Sequence, residues 1–150
     1  MPQSLSRVVV HIIFSTKDRQ RLINPEIEKE LFAYMATILN EHGAQPIKID
    51  GTEDHVHILC GLPRTMALCD LLEKVKKRSS KWIKTKGPQY SGFSWQGGYG
   101  VFSVGEYGIE RVTRYITNQK NHHRMVTFKD EFREFLDRYR IEYDERYVWG

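Results

Sequence analysis

Cysteine is scarce in this chain: Cys60 and Cys69 are the only thiols in 150 residues. Two thiols do not make a disulfide framework, and Cys60 falls on an expected core-facing position, which points to a reduced, cytoplasmic protein. No secretory leader pattern opens the sequence, and no apolar run approaches the length of a membrane span. Internal repeats and low-complexity tracts are also lacking. Nor is charge strongly of one sign. Lys and Arg number 23 against 19 Asp and Glu, a formal +4 that permits a nucleic-acid partner without requiring one. What remains is an ordinary globular composition, expected to form one domain over residues 1–150 with room for a substantial core.

The stretch Asp54-His55-Val56-His57-Ile58-Leu59-Cys60 reads as a β-strand, bounded by Gly51 and by Gly61-Leu62-Pro63. Strand alternation puts Val56, Ile58 and Cys60 on one face and His55, His57 and Leu59 on the other. The two imidazoles then stand about 7 Å apart by strand rise, a spacing from which they can bind one divalent ion if a third group joins them. Alone, such a pair is as readily structural. Arg7 to Phe14 is nearly continuous apolar and β-branched, as a central strand should be, and His11 interrupts it. His11 is either a buried structural residue or a neighbour of the His55 and His57 face.

Asn24-Pro25 marks a helix start, Ile27 to Leu39 repeats at helical spacing, and Gly43 ends it. Ile47 to Asp50 is a short second strand. Thr65 is placed to cap a second helix, which carries Lys74, Lys77, Arg78, Lys81 and Lys84 along one face. A row of one sign can neutralise phosphates of a nucleic-acid backbone, although charged helix faces are commonly just solvated. Trp95-Gln96-Gly97-Gly98-Tyr99-Gly100 leads into a fourth strand, without the lysine and context of a phosphate-binding loop. Its Trp95 and Tyr99, with Phe102 beyond, offer rings for base stacking or for the core. A third helix runs from Ile109 to about His123, with Tyr115 and Gln119 neighbours at i and i+4. Thr127 caps a last helix, and the charged, aromatic tail from Ile141 suits docking onto the body.

The order strand, helix, strand, strand, helix, strand predicts an α+β, ferredoxin-like β-α-β-β-α-β fold: an antiparallel sheet with two helices on one face. The histidine pair falls on the open face, where the tyrosine-bearing helix can cover it, and a C-terminal helix follows. Three segments, His55-Val56-His57, Trp95 to Gly100 with Phe102-Ser103-Val104, and Tyr115-Ile116-Thr117-Asn118-Gln119, resemble those of the HUH single-tyrosine transposases of bacterial insertion sequences, including the transposases associated with repetitive extragenic palindromes.

The resemblance implies that Tyr115 is the nucleophile and that His55, His57 and Gln119 hold Mg²⁺ or Mn²⁺, with His122 or His123 as competitors for the place of Gln119. It further implies single-stranded DNA hairpins as substrate, a 5′-phosphotyrosine intermediate, and a homodimer in which the tyrosine helix of one subunit completes the site of the other, the helix hinged at Gly105 and Gly108. His11, Lys74, Lys77, Arg78, Lys81 and Lys84 become candidates for gripping DNA. No general base is evident in the sequence. A domesticated nickase of chromosomal palindromes has the same sequence signature. A non-catalytic nucleic-acid-binding module, or a phosphoesterase using water, would instead dispense with the tyrosine.

Overall fold

A computed structural model describes residues 2–150. Four strands, β1 (Val9–Ser15), β2 (Pro46–Gly51), β3 (His55–Gly61) and β4 (Gly100–Val104), form one sheet in the order β2-β3-β1-β4. Every neighbouring pair is antiparallel. With α1 (Pro25–Glu41) between β1 and β2 and α2 (Leu68–Lys84) between β3 and β4, this is the expected ferredoxin-like topology.

The apolar run of β1 is explained by its place: it lies between β3 and β4, and all seven of its residues are buried. Register fixes which side chains meet. Val10 pairs with Cys60, Ile12 with Ile58 and Phe14 with Val56. These six face α1 and α2 in the larger core, with Leu31, Met35, Leu71 and Val75. The alternate residues, His11 opposite Leu59, Ile13 opposite His57 and Ser15 opposite His55, point to the other face.

That second face is covered by three helices. The expected single helix from Ile109 to His123 is broken at Asn118 (ψ 16°) into α3 (Ile109–Thr117) and α4 (Gln119–His122). α3 packs across β2 and β3, burying Ile116 against Val9 and Leu59. α5 (Phe128–Arg138) is capped as expected by Thr127, whose hydroxyl accepts from the Asp130 amide at 3.2 Å. Its Phe128, Phe132 and Phe135 pack on Phe102 and Ile13. The approach is close: a Cβ on Gly100 would lie 2.8 Å from the Phe132 ring, so β4 needs glycine there. Burying these rings stabilises the docked helix by roughly 2 kcal/mol each, enough to carry one buried, hydrogen-bonded carboxylate into the interior.

Several local expectations are corrected. Thr65 does not cap α2, which begins at Leu68 after Ala67. Asn24 precedes α1 but makes no capping bond, its amide reaching instead towards the Tyr90 hydroxyl. Trp95 is buried, its indole donating to Ser79 Oγ at 3.0 Å, and Phe102 is buried too. Neither is free to stack on a base, whereas Tyr99 is exposed. The tail does dock: Gly98 N donates to Gly150 O at 2.9 Å, and Trp149 packs on Phe132. No helix among the described residues is long and apolar enough to cross a membrane.

Candidate active site and metal centre

β3 brings His55 and His57 side by side as alternation requires, their rings 5.2 Å apart. Each is oriented through its Nδ1. His55 Nδ1 donates to Asp54 Oδ1 at 2.7 Å, and Thr52 Oγ1 holds the same oxygen at 2.9 Å. His57 Nδ1 lies 2.7 Å from His11 Nε2, delivered by the neighbouring strand. His11 is 1% exposed and cannot grip DNA; its contact is with His57, whose ring it fixes.

The outward Nε2 atoms converge with groups from the covering helices. The break at Asn118 turns Gln119 inward, so that its Oε1 lies 3.0 Å from His55 Nε2, while its Nε2 donates to Glu131 Oε2 at 3.1 Å. Glu131, from α5, places Oε1 3.0 Å from His57 Nε2, 3.0 Å from His123 Nε2 and 3.7 Å from His55 Nε2. His55, His57, His123 and Glu131 offer ligand atoms all within 4.8 Å of one another. Tyr115 completes the group. Its hydroxyl donates to Glu131 Oε2 and stands 3.4 Å from His122 Nε2.

Proton bookkeeping fits this cluster to a cation. The Nδ1 of His55 faces an acceptor-only carboxylate oxygen, so the ring proton belongs there and Nε2 presents its lone pair. The amide of Gln119 is fixed by its donation to Glu131, so its oxygen also faces inward. Two lone pairs thus meet at 3.0 Å. His123 Nε2 is buried and, although 3.0 Å from Glu131, makes no hydrogen bond to it. Separations near 3 Å are the edges expected between adjacent ligands bonded at about 2.1 Å. The residues present fit a divalent ion.

Burial lowers the pKa of His57 to about 4 against the pull of Glu131, and burial followed by repulsion from His57 puts His11 well below its usual value. Burial opposes ionisation of Glu131, but the ring nitrogens of His123 and His57, each 3.0 Å from its Oε1, outweigh it and hold the carboxyl well below 4.5. Burial, then the Glu131 charge, pushes the Tyr115 phenol above its ordinary value of 10. All three lowered groups bind fewer protons folded than unfolded. For His57 the stabilisation is complete above about pH 6.5 and is lost as pH falls towards 4, on the order of 3 kcal/mol. Chemical unfolding of the metal-free protein between pH 7.5 and 4.5 should show this loss, and a flat profile would contradict it.

The other basic candidates lie elsewhere. Lys74, Lys77, Lys81 and Lys84 are exposed on α2, which packs on the sheet face opposite the histidines. Arg78, on the same helix, is engaged by Glu41 at 2.5 Å. The sequence reading missed Glu131, although a signal was present: it interrupts the apolar stripe Phe128, Phe132, Phe135 of α5.

The sequence and the fold have known counterparts. The ISDra2 transposase TnpA of Deinococcus radiodurans is 25% identical over 114 residues, covering 73% of this chain and 81% of that protein. A crystal structure from the same organism, of a protein assigned as a transposase, superposes with a TM-score of 0.61 at 24% identity, over 79% of this chain and 98% of that one. A REP-associated tyrosine transposase bound to a REP hairpin shares the fold, with a TM-score of 0.62 at 11% identity, over 84% of this chain and 74% of that one. Residues 4–119 match the family described as IS200-like transposases, and the chain belongs to that family.

Proposed function

We propose that this chain cuts and rejoins single-stranded DNA at hairpin-bearing ends through a 5′-phosphotyrosine, with Tyr115 as nucleophile and a divalent ion at the histidine cluster. One observation carries the reading: the Tyr115 phenol and the metal donors meet at the same carboxylate, Glu131. A tyrosine so placed can attack a phosphodiester held at the cluster, leaving a free 3′-OH. The covalent bond keeps the linkage available for rejoining without external energy. His55, His57 and Gln119 would hold the ion, and His123 and Glu131 would complete the set. Three imidazoles with two oxygens suit Mn²⁺ better than Mg²⁺. When bound, the ion polarises a phosphoryl oxygen and offsets the Glu131 charge beside the phenol.

The hairpin bound by the REP-associated relative supports hairpin DNA as the substrate class, and the reduced cysteines support action in the cytoplasm. The test uses labelled single strands from both flanks of the gene with Mn²⁺ or Mg²⁺. A denaturant-resistant protein–DNA adduct mapped to Tyr115 supports the reading; tight binding with no adduct and no cut rejects it.

The homodimer with shared sites implied by the family would draw α3 away from its own histidines, pivoting at Gly105 and Gly108. Within one chain Tyr115 bonds Glu131, so the shared arrangement requires that contact to be remade between subunits. A mixture of Tyr115→Phe and His57→Ala proteins is therefore expected to stay inactive unless the subunits exchange α3. Recovery on mixing would show that subunits exchange the tyrosine helix.

A further inference from the structure

A cavity of about 590 Å³ adjoins the site where the start of α1, the β2–β3 turn and the α4–α5 connection meet. Its wall includes His123, a half-buried residue whose buried Nε2 has no hydrogen bond. It also includes Thr52 and Asp54, the pair that orients His55. Tyr115 stands on the other flank of the cluster. Its ring is 5.8 Å from His57 and 6.3 Å from His11, whereas His55 is the histidine that packs on the cavity residues His123, at 4.2 Å, and Phe128, at 5.1 Å.

Phosphoryl transfer requires the attacking oxygen, the phosphorus and the leaving oxygen to lie roughly in line. A phosphate held at the cluster and attacked from the Tyr115 flank sends its leaving oxygen towards the cavity. Resting on the function proposed above, we propose that this cavity holds the nucleoside on the 5′ side of the cut, whose 3′-oxygen leaves, and that it selects a base bearing an exocyclic amino group. In that step the Tyr115 Oη–P bond forms and the P–O3′ bond breaks, with its electron pair passing to the 3′-oxygen. The proton given up by the phenol is matched by the one that the 3′-oxygen takes up. Rejoining is the reverse, so the same cavity receives the 3′-OH of the incoming strand.

The wall chemistry sets the base preference. Glu28, Glu53 and Asp54 all line the cavity, and ionised carboxylates only accept hydrogen bonds. They repel phosphate, so this wall suits a base better than the backbone. Adenine, cytosine and guanine present amino donors, while thymine presents carbonyl oxygens on both sides of its one N–H. Lys120, tied to Glu28 at 2.5 Å, is engaged within the wall. Arg21, its side chain 83% exposed at the rim and 3.9 Å from Glu53, is placed to reach the next phosphate.

The test is a hairpin strand that the protein cuts, resynthesised with each base, and with an abasic site, immediately 5′ of the cut. Cleavage of the three amino-bearing bases should exceed that of thymine or the abasic site by about tenfold, and the margin should shrink in Glu53→Gln and Glu28→Gln proteins. Equal rates for all five strands, with the adduct still forming, would overturn the pocket and leave the tyrosine chemistry standing. A preference that persists undiminished in both variants would overturn it as well. No adduct on any strand removes pocket and tyrosine chemistry together.

Discussion

A Tyr115→Phe protein is expected to form no covalent DNA adduct and to lose at least 10³-fold in strand cleavage, while still folding and still binding Mn²⁺. The ring keeps its packing, 5.8 Å from Phe135 and 5.8 Å from His57, so only the hydroxyl is removed. That hydroxyl donates to a carboxylate oxygen which also accepts from Gln119 Nε2, so Glu131 is not stranded. The cost to stability should be about 1–2 kcal/mol, far from unfolding the chain. The measurement is a gel of labelled hairpin strand under denaturing conditions, beside a Mn²⁺ titration of the same protein. Cleavage at the wild-type rate without an adduct would mean that water is the nucleophile. Loss of both cleavage and Mn²⁺ binding would mean that the substitution disturbed the cluster rather than the attacking group.

The residues readable in advance are those whose position follows from a local period. Alternation along β3 separates His55 and His57 from Val56, Ile58 and Cys60, and helical spacing sets Tyr115 beside Gln119. The unbroken apolar run of β1 marks a strand with neighbours on both sides. What local periods do not contain is register between distant elements. The bond from His11 to His57 arises because Ile13 pairs with His57, which leaves His11 two residues along on the same face. The basic row on α2 shows the same limit from the other side: its period defines a helix face, but only the topology puts that face across the sheet from the histidines. Asn118 is a third case, since helical periodicity ran straight through it and the break there is what turns Gln119 inward.

Glu131 is the residue that separates a structural role from a metal-binding one, and Glu131→Gln should split the two. Among the described residues it has no lysine or arginine partner; its neighbours within ion-pair distance are His55, His57, His122 and His123. Burial keeps His57 and His11 uncharged at neutral pH, so the metal-free protein carries a buried anion with hydrogen bonds but little opposing charge. Replacing a buried charge by a neutral group of the same shape is often neutral or stabilising. The metal-free variant should therefore unfold within about 1 kcal/mol of wild type, the one mismatched amide contact offsetting the removed charge. Its Mn²⁺ affinity should fall on the order of 100-fold, because the site's only anionic ligand is gone and the ion meets imidazoles and amides alone. Thermal melts with and without Mn²⁺, together with a direct Mn²⁺ titration, report both quantities. A marked drop in the metal-free melt with unchanged Mn²⁺ affinity would make Glu131 a packing residue and return the third-ligand role to Gln119 alone. The opposite pattern, an unharmed fold that no longer responds to metal, is what a side chain kept for its charge at the expense of stability should give.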